Sequence, residues 1–507
     1  MSISTIAAAL FTADTLFCLV LGVVGGVLIG AMPGLSAAMG VTLLIPVTFG
    51  MDPVPALVML TAVYTSAVYG GSITAVLIHT PGTPSSACTA IDGFALTKQG
   101  KGMLGVGIST IASMVGGTLS GIALLTISPL LARFAMKCSS LEYFFLAFFG
   151  ICVMGGLADK EPVKGLVGGV LGLLLGMVGL DPIHGVPRYT FGSLNMQVGI
   201  RIAPALIGLF AVSQVLIFVE ELAAGKAAIY DDPDQAMKGS ILPSGKDMLR
   251  LTPVMLKSGV IGIVTGIIPA AGGNIGSWMA YKACRSASKH PEEYGNGSIE
   301  GVAASEAANN GVTGGALIPL MTLGIPGSSV AAILLGGLMI HGLQPGADLF
   351  TKHGDITYPI IIGFILANIL MGIFGLLLAK PIAKVCVVPM AILAPIILGL
   401  AALGAYATNN SFYDVIIMAV FGLIGYFMQK LGFSTAPMTL GLCLSSMVEA
   451  NWLRATVLAR GNMWTYFLGR PISVVLALLI VVTLCGPIVS KLINQSRQKQ
   501  NLKGEKQ

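Results

Sequence analysis

The sequence predicts an all-α polytopic membrane protein of about 10–12 transmembrane helices. They fall in two repeat-related, inverted halves, each with a discontinuous or re-entrant element. Three observations predict this. First, 55% of the 507 residues are hydrophobic and only 10% are charged, and the mean hydropathy is +0.88. That leaves too little polar surface for a dispersed soluble globule. Second, Gly70 stands eleven residues before Pro81 and Gly82, followed by Ser85 and Ser86, while Gly315 stands eleven residues before Pro326 and Gly327, followed by Ser328 and Ser329. Third, Gly26, Gly30, Pro33 and Gly40 are matched at a constant offset by Gly262, Gly266, Pro269 and Gly276. Ordered blocks recurring in the same sequence order point to duplicated halves.

Taken in order, the first repeat occupies residues 1–222, with clear apolar spans near 15–32, 104–128, 141–157, 163–181 and 202–222. Its first apolar run has no preceding positive charge and no evident cleavage site, so it reads as a retained helix. Residues 223–256 form a polar connecting loop holding Lys226, Asp231, Asp232, Asp234 and Lys238. The second repeat occupies 257–490, with spans near 258–280, 357–379, 386–406, 411–430, 433–450 and 470–490. Residues 491–507 are a basic tail whose Lys491, Arg497, Lys499, Lys503 and Lys506 place the C-terminus in the cytoplasm. The net charge of +6 lies in short clusters between apolar runs. It marks topology rather than a nucleic-acid surface. Lys282 to Glu300 is a polar insertion without a counterpart in the first half, and Asp92, Lys98 and Lys101 mark the end of the first broken element.

The broken elements lie near 70–92 and 311–337. Proline removes a backbone donor and glycine relaxes a helix, so Thr80-Pro81-Gly82-Thr83-Pro84 interrupts any helix through it. Irregular backbone at membrane depth persists only where protein buries it or water reaches it. Half-helix amide ends at such a cavity favour anions, and free carbonyl, amide and hydroxyl oxygens suit a hard cation such as sodium. Ser36, Ser72, Thr80, Pro81, Gly82, Ser85, Ser86, Gly327, Ser328 and Ser329 are the candidate substrate-binding residues. Asn274, Glu306, Asn309, Asn310 and Thr313 are the candidate cation-binding residues, because spacings of three and four place Glu306, Asn309 and Asn310 on one helical face.

Blander readings attach to the same residues. The glycine runs 26-30-34 and 168-172-176 are explained by close helix packing, and Asn409, Asn410 and Ser411 fit a turn. His79 is either a proton relay or a neutral hydrogen-bonded histidine. The eight cysteines show no C-x-x-C spacing and read as small packing residues. No H-E-x-x-H, G-x-S-x-G or G-x-x-x-x-G-K-[ST] motif occurs, so neither an enzyme nor an ATP-driven pump is supported. No cofactor and no metal beyond a coupling sodium is expected, and an ion gradient is the implied energy source.

The stretches GAMPGLSAAMG (30–40), YGGSITAVLIHTPGTPSS (69–86), EAANNGVTGGALIPLMTLGIPGSS (306–329) and HGLQPG (341–346) resemble the large membrane subunit of tripartite tricarboxylate transporters. The resemblance runs over roughly residues 15–490. It implies a bacterial inner-membrane subunit working with a small membrane subunit and a periplasmic solute-binding protein to import tricarboxylates or related carboxylates by secondary transport. A self-sufficient carrier of a small organic acid and a non-transporting scaffold that docks a periplasmic protein are the alternatives.

Overall fold

A computed structural model describes residues 3–32, 34–158, 162–181, 184–224, 239–269, 272–385 and 390–484. In chain order the main helices are α1 (Ala13–Ala31), α2 (Ala37–Thr48), α3 (Pro53–Ile78), α4 (Ala87–Lys98), α5 (Gly102–Ala135), α6 (Ser140–Ala158) and α7 (Pro162–Gly176). Next come α8 (Ile202–Ala223), which contains a π turn over Ile207–Val212, α9 (Gly245–Ile267), α10 (Gly272–Ala287), α11 (Ile299–Leu323) and α12 (Ser329–Ile340). The series ends with α13 (Gly354–Leu377), α14 (Met390–Asn409), α15 (Phe412–Lys430), α16 (Thr435–Leu458) and α17 (Pro471–Leu484).

Among the described residues, eight helices are long and apolar enough to cross a membrane: α1, α3, α5, α8, α9, α13, α14 and α15. Shorter apolar helices α2, α6, α7, α12 and α17 accompany them. The chain is a multi-pass membrane protein. Helix α11 is long enough at 25 residues, yet too polar to read as a span. It is nonetheless buried from Glu300 to Thr322.

Side-chain caps fix where many helices begin. Thr12, Ser36, Ser244, Ser298 and Ser328 each accept a backbone N–H from the first turn of the helix they precede, removing one of the donors that a helix start leaves unpaired. Both expected breaks are present, but they start later than the sequence suggested. Helix α3 runs intact through Gly70 and Gly71 to His79, a left-handed residue at φ 55°. Helix α11 runs intact through Gly311, Gly314 and Gly315 to Gly324, at φ 74°. Glycine tolerates these helix interiors because neighbouring backbone occupies the space of a side chain: a Cβ on Gly70 would strike Val27, and one on Gly315 would strike Ile263.

The chain divides into two compact units: Met1–Ala135 with Arg201–Phe427, and Met136–Ile200 with Met428–Gln507. In the first, α3 and α11 are the most buried helices. Helix α1 packs on α3, α9 on α11, α5 on α11 and α13 on α3. Leu96, Ile108, Ala112, Leu251, Met255, Val302, Ala303 and Ala307 join α4, α5, α9 and α11 in one core.

Close contacts recur between matched positions, with the glycines of α1 and α9 spaced 236 residues apart and their partners on α3 and α11 spaced 245 apart, like the two Pro-Gly pairs. A Cβ on Gly26 would meet Val63 and one on Gly262 would meet Ala308; likewise Gly30 meets Ala67 and Gly266 meets Val312. At the breaks, Gly82 donates its N–H to the Gly71 carbonyl at 3.1 Å and Gly327 donates to the Ala316 carbonyl at 3.4 Å. Thr83 caps the turn Pro84–Ser86 by accepting the Ser86 N–H, just as Ser328 accepts the Ala331 N–H. Pro33 lies outside the described residues.

In the second unit α6 and α7 pack on α16. Gly172 lies against Met438, Gly176 against Ser445 and Gly441 against Gly169, so here the glycine run serves close packing. Glu142, 2% exposed, takes hydrogen bonds from Arg470 at 2.5 Å and Ser473 at 2.8 Å, tying α6 to α17.

Candidate functional site

Glu306 sits about two turns into α11 with no solvent exposure. Its carboxylate draws donors from three other helices: Ser72 of α3 at 2.7 Å, Thr89 of α4 at 2.5 Å and Ser113 of α5 at 2.8 Å. Ser305 adds a further link, its hydroxyl 2.9 Å from that of Thr89. A carboxylate buried in a membrane protein needs such donors, because lipid offers none.

One turn along the helix, Asn309 and Asn310 are buried as well. Asn310 donates to the Ser113 carbonyl at 3.3 Å, but its Oδ1 has no partner among the described residues. The Asn309 amide faces Glu306, yet among the described residues neither its oxygen nor its nitrogen makes a well-formed hydrogen bond. The Ser277 hydroxyl of α10 is likewise buried and unpartnered among the described residues. Orphaned polar atoms are rare in native interiors. Those of Asn309 and Asn310 lie within about one turn of the buried Glu306 carboxylate, which makes this cluster the candidate site.

The first break approaches this group directly. A Cβ on Gly273, at the start of α10, would lie 3.0 Å from the Ser85 Cβ and 3.1 Å from the Asn309 Oδ1. Ser85 and Thr83 sit with their hydroxyls 3.1 Å apart. The second break meets the other central helix, with Ser328 Oγ 3.0 Å from the Tyr64 hydroxyl of α3.

The structure brings together Ser72, Ser85, Glu306, Asn309 and Asn310 of the expected set. Others serve the backbone. Ser36 caps α2, Ser86 closes a reciprocal cap with Thr83, and Thr80 donates to the Ile78 carbonyl at 3.2 Å. Thr313 donates to the Asn310 carbonyl at 2.6 Å, which directs it to its own helix rather than toward a ligand. Pro81 is exposed, Gly82 and Ser329 are half-buried and Gly327 is buried. The side chain of Asn274 lies outside the described residues.

Two expectations change. Asp92 does not end the first element; it is wholly buried inside α4, with Oδ1 accepting the amides of Gly295, Gly297 and Ser298 at 2.8–3.0 Å and Oδ2 the Tyr281 hydroxyl at 2.8 Å. The polar insertion is therefore clasped to the first half by a carboxylate seated in a nest of backbone amides. Glu300, expected within that insertion, lies instead in the first turn of α11, where it pairs with Arg250 at 2.6 Å. Beside it, burial foremost and the Glu300 carboxylate next push the Tyr294 phenol above its ordinary range, so it stays a donor to Glu300 at 3.1 Å. His79 is exposed and stacks on Phe94 with centroids 4.7 Å apart. Asn410 turns the chain at φ 50°.

Sequence reasoning missed Thr89, Ser113 and Tyr64. The signal for the first two is faint, because serine and threonine in membrane helices commonly bond their own backbone.

No solved structure matches the chain. It is 34% identical over 493 residues to an uncharacterized 52.8 kDa protein in the TAR-I ttuC' 3' region of Agrobacterium vitis, covering 97% of this chain and 96% of that protein. A second Agrobacterium vitis protein, described as uncharacterized in the TAR-II ttuC' 3' region, is 35% identical over 212 residues, 42% of this chain and 87% of that protein. Residues 16–440 match the model of the Tripartite tricarboxylate transporter TctA family. By this match over most of its length, the chain belongs to the tripartite tricarboxylate transporter TctA family.

Proposed function

We propose that this chain is the transporting subunit of a binding-protein-dependent importer, moving tricarboxylates or related carboxylates by alternating access coupled to sodium. The observation that carries the reading is Glu306: a wholly buried carboxylate that accepts the hydroxyls of Ser72, Thr89 and Ser113, beside Asn309 and Asn310, whose oxygens are unsatisfied among the described residues. Burying that charge calls for a compensating cation. Carboxylate, amide and hydroxyl oxygens form the hard donor set that sodium takes. When bound, sodium supplies the positive charge that offsets Glu306 and draws an anionic substrate into the site.

The substrate side of the site is the pair of breaks. Gly82 and Gly327 place the backbone where the next helix begins, and the amide ends of α4 and α12 favour a carboxylate. Ser85, Ser86, Ser328 and Ser329 stand at these starts. Family membership supports a tripartite assembly, so we assign the chain a small membrane subunit and a periplasmic solute-binding protein as partners. We place it in the bacterial inner membrane with its basic tail in the cytoplasm. The recurrent contacts at matched positions support a repeat-related origin of the two halves, which we read as inverted.

The test is carboxylate uptake into proteoliposomes with all three components present and an imposed sodium gradient. Asn310→Ala and Pro326→Ala should each lower uptake at least about tenfold, the effect of 1.4 kcal/mol, with insertion into the membrane unchanged. Full uptake in both variants would refute the site. Uptake without the binding protein would identify a self-sufficient carrier, and substrate-free docking alone would identify a scaffold.

A further inference from the structure

The repeated contacts carry a consequence for how many cations the molecule takes. At the 245-residue spacing, Glu306, Asn309 and Asn310 of α11 correspond to Thr61, Tyr64 and Thr65 of α3. Each set lies on its half's most buried helix and faces the break of the opposite half. Asn309 and Ser85 converge on Gly273, and Tyr64 meets Ser328 directly.

The chemistry of the two sets differs at every position. Thr61 donates only within its own helix, to the Leu57 carbonyl at 2.8 Å, and brings no charge. Thr65 is satisfied by the Asn368 Oδ1 at 2.7 Å. Tyr64, 2% exposed, spans the gap to the opposite break with its ring and closes it with a 3.0 Å hydrogen bond to Ser328. On the other side a carboxylate replaces Thr61. A short amide replaces the phenol, and among the described residues both it and the Asn310 Oδ1 lack a well-formed hydrogen bond. One set is complete in itself; the other has a charge and, among the described residues, three orphaned amide atoms.

We propose that the duplicated fold holds two equivalent cation positions of which only the one at Asn309 binds sodium, the other being filled by the Tyr64 side chain. Tyr64 is thus a stoichiometry-determining residue: its hydroxyl gives Ser328 the contact that a bound cation makes at Asn309. The asymmetry also follows from charge, because sodium at the Tyr64 position would lack a carboxylate and be repelled by its twin. This inference rests on the cation reading of the Glu306 site.

The experiment is equilibrium binding of radioactive sodium to the full chain in lipid nanodiscs, measured as ions bound per chain. Wild type should bind one sodium and Asn309→Ala none. Tyr64→Asn, which gives α3 the side chain of its counterpart, should bind a second, weaker sodium. Tyr64→Phe keeps the ring in place and should stay at one, controlling for damage to the fold. Two ions bound by wild type, or one bound by a Tyr64→Asn chain that melts like Tyr64→Phe, overturns the inference and leaves the cation reading standing. No sodium bound by wild type overturns both. Should Tyr64→Asn fail to fold, Tyr64→Ala, which also opens the position, replaces it under the same outcomes.

Discussion

At the scale of single residues, the Glu306 site separates two roles that one side chain plays. The carboxylate is an acceptor for Ser72, Thr89 and Ser113, and it is a charge. Glu306→Ala removes both and leaves three buried hydroxyls seeking partners, each costing about 1–3 kcal/mol. Its melting temperature should fall clearly in a detergent thermal-shift assay. Glu306→Gln keeps the shape and one acceptor oxygen, and hydroxyls can rotate to accept from the new amide. The glutamine variant should therefore melt close to wild type while its apparent sodium affinity in uptake drops at least about tenfold. Wild-type sodium dependence in Glu306→Gln would show that the charge has no part in coupling. How much of this was legible in the sequence follows from the same chemistry. Glu306, Asn309 and Asn310 stand out because such groups are costly in an apolar chain. Thr89 and Ser113 do not stand out. Thr42 and Thr322 bond their own helices at 2.7 and 2.6 Å, and only the fold reveals which hydroxyls reach across to another helix.

At the scale of elements, glycine spacing sets how the central helices meet. Gly30 lets α1 approach the α3 backbone at Ala67, and Gly266 lets α9 approach α11 at Val312. A methyl at either place meets backbone, which cannot move aside as a flexible side chain can, so overpacking of about 1–3 kcal/mol is expected. Gly25, on the same helix, has open space around its Cβ position. Gly30→Ala should lower folded yield and melting temperature, whereas Gly25→Ala should match wild type or exceed it slightly, since alanine is the better helix former. Equal effects of the two would mean that helix propensity rather than close approach governs these glycines. The paired Pro-Gly motifs were readable because proline cannot continue a helix. The positions of the breaks were not, because Gly70, Gly71, Gly314 and Gly315 look like helix breakers and act as contact points instead.

At the scale of the whole molecule, the site belongs to neither half alone. Helix α11 receives donors from α3, α4 and α5, while Ser85 of the first break and Asn309 converge on Gly273. Transport by alternating access requires such a junction to open, since groups that enclose a ligand must later release it. Ser85 and Gly273 report on that opening. The Ser85 Cβ lies 3.0 Å from the Cβ position of Gly273, and a shift of a few tenths of an ångström brings the pair into the range of about 3.5–4.5 Å that a disulfide spans. A Ser85→Cys, Gly273→Cys chain should therefore cross-link under mild oxidation. Uptake should fall on oxidation and return on reduction, while either single variant stays insensitive to both. Full-speed uptake by the cross-linked protein would mean that the first break and α10 travel together through the cycle. The moving boundary would then have to lie on the side where Tyr64 meets Ser328.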